Sequence, residues 1–187
     1  MRGALVTRKV LYDVLDELGQ RCSGRVWLLG ETSHVYEGWR SWTDAVHVWS
    51  EVRHRDEWLA ALAICRRTHG VDIHDEFPGD VIPLPDGYEE RAREAGRRGD
   101  LHVAHFDPYS VAFRHIARGD EPDYHIVMMY IERGWIDPNR MDALLQDLLP
   151  RFTMKTIQQD PAEFRRKYKG MTQMAARLTP GTVHRPF

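Results

Sequence analysis

A chain of 187 residues, 42% hydrophobic and 29% charged, carries enough apolar material to bury a core without staples and too much to remain disordered. Its formal net charge of -2 sets up no global positive field, so contact with nucleic acid or an anionic surface would need a local patch. The first residues run straight into charge and no apolar stretch reaches membrane-spanning length, so a cytoplasmic protein with no membrane partner is expected.

Leu11, Val14, Leu15 and Leu18 recur at helical spacing, with Gly19 at the end of the stripe. The short apolar run Val26-Trp27-Leu28-Leu29 closes on Gly30 and reads as a buried strand. A short helix is predicted from Glu31 to Glu37, stopped by Gly38, whose missing Cβ suits a left-handed cap. Ala45-Val46-His47-Val48-Trp49 is β-branched and aromatic and reads as a second strand. Residues Asp56 to Thr68 return to helical spacing, and Val71-Asp72-Ile73-His74 alternates as a short strand. Proline and glycine punctuate Phe77 to Gly87, which must be an irregular loop. A charged stretch, Tyr88 to Arg98, leads to a further strand at Leu101-His102-Val103-Ala104-His105-Phe106.

Three helices then announce themselves alike. Asp107-Pro108, Asp137-Pro138 and Asp160-Pro161 each set a capping carboxylate before a proline, which loses no intrahelical bond at the first position. Glu121-Pro122 begins a fourth in similar style. Strands mixed with helices in the first half and helices alone in the second predict an α/β (α+β) domain over residues 1–169. Residues 170–187 lose periodicity and are expected to form a loosely docked or mobile tail. Cys22 and Cys65 make no CxxC pair, and two buried thiols are expected.

The order strand, Gly30, short helix, Gly38-x-Arg40, Thr43, strand resembles the start of the small bacterial nucleotidyltransferase-like proteins, a group that includes abortive-infection toxins of the AbiEii type. Gly30, Thr32, Gly38, Arg40 and Thr43 carry the likeness. Asp107-Pro108-Tyr109 through Ala117-Arg118-Gly119, and Glu132-Arg133-Gly134, extend it across roughly residues 10 to 150. The resemblance implies a minimal nucleotidyltransferase-like core, a small mixed β-sheet followed by a helical C-terminal half. It also implies a nucleotide site at Gly30, Glu31, Thr32, Ser33, Arg40 and Thr43, with Arg114 and Arg118 from the later helix. Phage defence or a toxin–antitoxin pair is the setting it suggests.

Members of that group hold divalent ions through a pair of acids on the second strand. In this register those positions fall on Ala45 and His47, and Asp44 is one residue out, on the opposite strand face. Alanine offers no ligand, and an imidazole suits zinc, copper or nickel better than magnesium. The expected function is therefore that of a degenerate nucleotidyltransferase-fold protein acting by binding a nucleotide, an RNA or a protein partner. The alternative is an active transferase using Mg or Mn, rebuilt with Glu31, His47, Asp72, His74 or Asp123 as ligands or acid/base groups. No metal site is expected, and His47 and His74 are weak candidates for one. A third reading is a structural or self-associating module, docking through the tryptophan-rich turn at Trp39 and Trp42.

Overall fold

A computed structural model describes residues 4–152 and 160–178. In chain order the elements are β1 (Val6–Thr7), α1 (Arg8–Arg21), β2 (Gly24–Leu28), α2 (Glu31–Glu37), β3 (Trp42–Thr43), β4 (Ala45–Val52), α3 (Arg55–His69) and β5 (Asp72–Asp75). They continue as β6 (Arg93–Arg98), β7 (Leu101–His105), α4 (Pro108–Arg118), α5 (Glu121–Glu132), α6 (Pro138–Leu148) and α7 (Pro161–Leu178). The fold is mixed α/β. The chain divides into two compact units. One comprises residues 1–78 and 86–111, the other residues 79–85 and 112–187, and the division falls inside α4.

The first unit is built on a five-stranded sheet in the order β5-β4-β2-β7-β6. β2 runs antiparallel to β4 and parallel to β7, β4 and β5 are parallel, and β6 closes the edge antiparallel to β7. Strand side chains alternate in direction, so each strand separates into two sets. Val26, Leu28, Val46, Val48, Ile73, Leu101 and Val103 meet Leu11, Val14, Leu15 and Leu18 of α1 and Trp58, Ala61 and Leu62 of α3 in one buried cluster. The other set, Arg25, Trp27, Ala45, His47, Trp49, Asp72 and His74, forms the second face of the sheet. β1 and β3 make a separate two-stranded ribbon.

Gly19 does not end α1, which runs on to Arg21. Its role is close approach: a Cβ there would lie 1.8 Å from the Arg98 carbonyl oxygen, in the turn between β6 and β7. Gly30 sits at φ 51, ψ -123, a conformation that favours glycine and turns β2 sharply into α2. Edge strand β6 has no counterpart in the sequence reading, because its residues are charged and largely exposed.

In the second unit, the caps behave as their residue types dictate. Asp137 accepts from the Asn139 and Arg140 N–H groups, and Asp160 accepts from the Ala162 N–H. α5 differs: Asp120 occupies the cap position, ahead of Glu121 and Pro122, and makes no side-chain capping bond. Phe113 of α4 packs against Phe164 and Tyr168 of α7. The tail expected from residue 170 is corrected in part, since α7 continues to Leu178 and Met171 is buried. Residues 179–187 of that expectation lie outside the described residues.

Candidate functional site

Glu31 opens α2, where an acid is favoured by the helix dipole. It pairs with Arg40 at 2.5 Å and accepts from the Thr43 hydroxyl at 2.8 Å. Arg40 also donates to the Trp42 carbonyl at 2.8 Å and lies over the Trp42 ring. The three polar residues read as nucleotide contacts thus engage one another and fix the turn that follows α2. Thr32 is fully buried, and its hydroxyl accepts from the His47 N–H at 2.8 Å, tying α2 to β4. Ser33 is buried too, with a hydroxyl that has no hydrogen-bond partner among the described residues.

On the second face of the sheet, the parallel register of β4 and β5 sets His47 opposite His74 and Ala45 opposite Asp72. The two imidazoles stack, with centroids 4.9 Å apart and planes within 17°. His74 is half exposed, and its Nδ1 lies 4.0 Å from a Glu76 carboxylate oxygen. Asp72 is exposed at the sheet edge and Asp44 is exposed before β4. Of the proposed replacement ligands, His47 and His74 come together, whereas Glu31 is held by Arg40 and Thr43. Among the described residues, no group of three or more His, Cys, Asp or Glu side chains is arranged to hold a metal ion.

Beside the imidazole pair the face is aromatic. Trp49 stacks on Trp27 at 6.1 Å, tilts against Phe77 at 4.8 Å and meets Phe106 edge-on at 5.7 Å. Arg25 lies over the Trp27 ring, and the Trp27 indole N–H donates to Glu51 at 3.1 Å. The sequence reading treated Val26-Trp27-Leu28-Leu29 as one buried run and so missed that Trp27 leaves the face of its neighbours. The period-two split between Arg25/Trp27 and Val26/Leu28 was the available signal.

Asp75 is an acid the sequence reading passed over. One of its carboxylate oxygens accepts from Ser50 at 2.6 Å, Arg55 at 2.6 Å and the Trp58 indole at 2.7 Å. The other oxygen is buried without a hydrogen-bond partner among the described residues. The cluster stitches the start of α3 to β4 and β5. Of the histidines on β7, His102 is exposed, while His105 is buried and bonds Glu37 at 2.9 Å. Burial pushes the His105 imidazole down to about 4, against the opposing pull of Glu37.

Both cysteines are free thiols. Cys65 is fully buried and Cys22 half-buried. Burial pushes the Cys65 thiol up to about 12 and raises Cys22 as well, so neither is an activated nucleophile. Trp42 is 41% exposed, and Trp39 is half-buried against the His34 ring.

In the second unit, Asp123 pairs with Arg118 at 2.9 Å and with His115 at 2.7 Å. Burial raises Asp123, but the His115 and Arg118 contacts outweigh it and hold the carboxyl below its usual range. Asp123 thus anchors the arginine that the resemblance assigns to the nucleotide site. Arg114 stands one turn earlier on α4. The basic run at residues 165–169 is partly structural, since Lys167 donates to the Ala117 carbonyl and Tyr168 to Asp142.

A scan against protein-family models finds no matching family, and searches of curated proteins and of solved structures find no match.

Proposed function

We propose that this chain is a nucleotidyltransferase-like protein that binds a nucleotide, or the nucleotides of an RNA, without metal-dependent transfer. The order β2, glycine turn, short α2, β4, α3, β5 is consistent with the core that the sequence resemblance implies. The observation that carries the reading is the stacked His47–His74 pair beside Ala45. Magnesium takes hard oxygen ligands and keeps several waters, and this patch presents flat nitrogen heterocycles instead. Of the acids read into the rebuilt site, Glu31 is neutralised by Arg40 and bonded to Thr43, and Asp72 stands exposed at the sheet edge opposite Ala45. Planar imidazoles next to the half-buried Trp49 offer a base the stacking surface that aromatic platforms use. A role in phage defence or a toxin–antitoxin pair belongs to the same proposal.

The test combines transfer and binding on the whole chain. Labelled nucleoside triphosphates with Mg²⁺ or Mn²⁺ and bulk RNA are expected to give no transfer. Calorimetry without metal is expected to show saturable nucleotide binding, weakened at least about tenfold by the His47→Ala, His74→Ala double variant, or about 1.4 kcal/mol. Transfer by the wild type would overturn the proposal. Absence of nucleotide and RNA binding would also overturn it and leave the protein-partner reading, for which Trp42 is the exposed contact.

A further inference from the structure

The second unit holds an imidazole nitrogen with two competing neighbours. His115 Nδ1 lies 2.7 Å from Asp123 Oδ1 and 2.7 Å from an Arg118 guanidinium nitrogen. That same arginine nitrogen lies 2.9 Å from Asp123 Oδ1. Three polar atoms therefore close a triangle. In a neutral imidazole Nδ1 carries either a proton or a lone pair, never both. With the proton, it donates to Asp123 and faces an Arg118 N–H across a contact that cannot be a hydrogen bond. With the lone pair, it accepts from Arg118 and turns that lone pair toward the carboxylate. One edge of the triangle is always unsatisfied.

Exposure decides which corner gives way. The His115 and Asp123 side chains are 9% and 11% exposed, whereas Arg118 is 48% exposed. The arginine can exchange this contact for water at small cost, and the other two cannot.

We infer that His115, Asp123 and Arg118 form a proton-linked latch: a proton taken up by His115 commits Asp123 to the imidazolium and releases Arg118 to solvent, where its guanidinium takes an anion of the phosphate class. Released, the guanidinium presents its N–H groups in the fork that matches a phosphate oxyanion. Linkage makes the coupling reciprocal. An anion that draws Arg118 outward removes a positive charge from His115 and raises the imidazole's proton affinity.

The charged groups around the imidazole pull in opposite directions. From its own helix Arg118 and Arg114 oppose protonation, and from α5 Asp123 favours it. On α7, Lys167 is held by the Ala117 carbonyl and Glu163, and Arg166 lies near Glu163. Burial is the largest influence and, with the arginines, keeps His115 below its ordinary 6.5. The latch is therefore closed at neutral pH and opens on acidification or on anion binding. None of this uses the nucleotide-binding proposal, and the test below reads His115 alone.

The experiment is a histidine-resolved NMR titration of the full chain, comparing inorganic phosphate with chloride at equal ionic strength. Wild type, Arg118→Met and Asp123→Asn are titrated, with His115→Gln to assign the resonance. The wild-type His115 should titrate below 6.5. Arg118→Met should bind that proton at least about threefold more tightly, through loss of a like charge. Asp123→Asn should bind it more weakly. Phosphate should raise the His115 titration point in wild type and leave Arg118→Met unmoved. An unchanged titration in Arg118→Met, or an equal phosphate effect in both proteins, would overturn the latch. Should Asp123→Asn fail to fold, the half-exposed Arg118→Met carries the decision by itself.

Discussion

Arg91 and Asp107 form a buried two-pronged ion pair, with Arg91 Nε to Asp107 Oδ1 at 3.0 Å and the guanidinium to Oδ2 at 2.9 Å. The carboxylate is fully buried and the arginine side chain 10% exposed. The same carboxylate caps α4, accepting from the Tyr109 and Ser110 N–H groups at 3.2 Å and from the Ser110 hydroxyl at 2.7 Å. Two demands meet on one residue. Asp107→Ala removes the cap and takes the paired carboxylate away from a buried guanidinium, so a loss of about 3–5 kcal/mol is expected. Asp107→Asn keeps a capping oxygen and should cost less, though the negative charge facing Arg91 is lost. Urea midpoints for the two variants and wild type check both the size and the order; equal losses would mean that only the charge matters.

Gly19 sits inside α1, where alanine would ordinarily be favoured by about 1 kcal/mol. A Cβ at this position would meet the Arg98 carbonyl oxygen at 1.8 Å and the Gly99 Cα at 3.3 Å. Both are backbone atoms, fixed also by the Asp100 N–H donating to the Gly19 carbonyl at 2.9 Å. The contact cannot relax by a rotamer change, so the sign of the helix-propensity effect reverses. Gly19→Ala is expected to lose at least about 2 kcal/mol, read as a fall in thermal midpoint. Gly134→Ala is a suitable contrast, because a Cβ there meets nothing within 4 Å and only its φ of +69 is strained.

The contrast between local and distant causes also explains what the sequence disclosed. Gly30 and Gly38 bracket α2, and the helix spans Glu31–Glu37 as the glycines alone imply. The Asp-Pro pairs located α4, α6 and α7 for the same reason: a cap and its proline act within a few residues. Gly19 and Arg98 lie far apart in the chain, so the stripe of α1 carried no sign of their contact. β6 was invisible because a charged, exposed edge strand has no hydrophobic alternation. At the candidate site, strand parity put His47 and His74 each on a definable face. That they stack depended on the parallel register of β4 with β5, which neither strand encodes by itself. Asp75 is the extreme case, since its donors come from Ser50, Arg55 and Trp58 on two other elements.

His105 gives the first unit a defined response to acid. Burial holds its imidazole at about 4, against an ordinary value of 6.5. Between those two values the unfolded chain binds the proton and the folded chain does not, so stability falls as pH drops from 6.5 toward 4 and then levels off. For a side chain this buried, the loss is on the order of 2–3 kcal/mol across the window. His105→Gln removes the titrating group, and its unfolding free energy should change less between pH 7 and pH 4.5 than that of wild type. Parallel pH profiles for the two proteins would show that the acid response belongs to other groups. Because His115 titrates in the same direction, the comparison is best made in a His115→Gln background as well.

The last prediction concerns Ala45 and His47, which share the second face of β4 beside Asp72 and His74. If metal-dependent transfer is absent because acids are absent from these two positions, restoring them should restore an ion site. Ala45→Asp with His47→Asp places two carboxylates two residues apart on one strand face, within reach of the edge acid Asp72. Such a set supplies the hard oxygen ligands that Mg²⁺ and Mn²⁺ take. The double variant is expected to bind Mn²⁺ at least about tenfold more tightly than wild type, equivalent to about 1.4 kcal/mol, measured by the loss of free-ion signal in electron paramagnetic resonance. Ala45 is buried, so the new side chain will cost stability, and circular dichroism must first show that the variant is folded. Thr43→Asp with Ala45→Asp is the control for position, because it moves one acid off β4 and onto β3, beside Glu31 and Arg40. Tighter Mn²⁺ binding by the control than by Ala45→Asp with His47→Asp would move the site toward β3 and away from the imidazole pair. A folded double variant that binds no better than wild type would mean that the second face of β4 and β5 is not where ions belong in this fold.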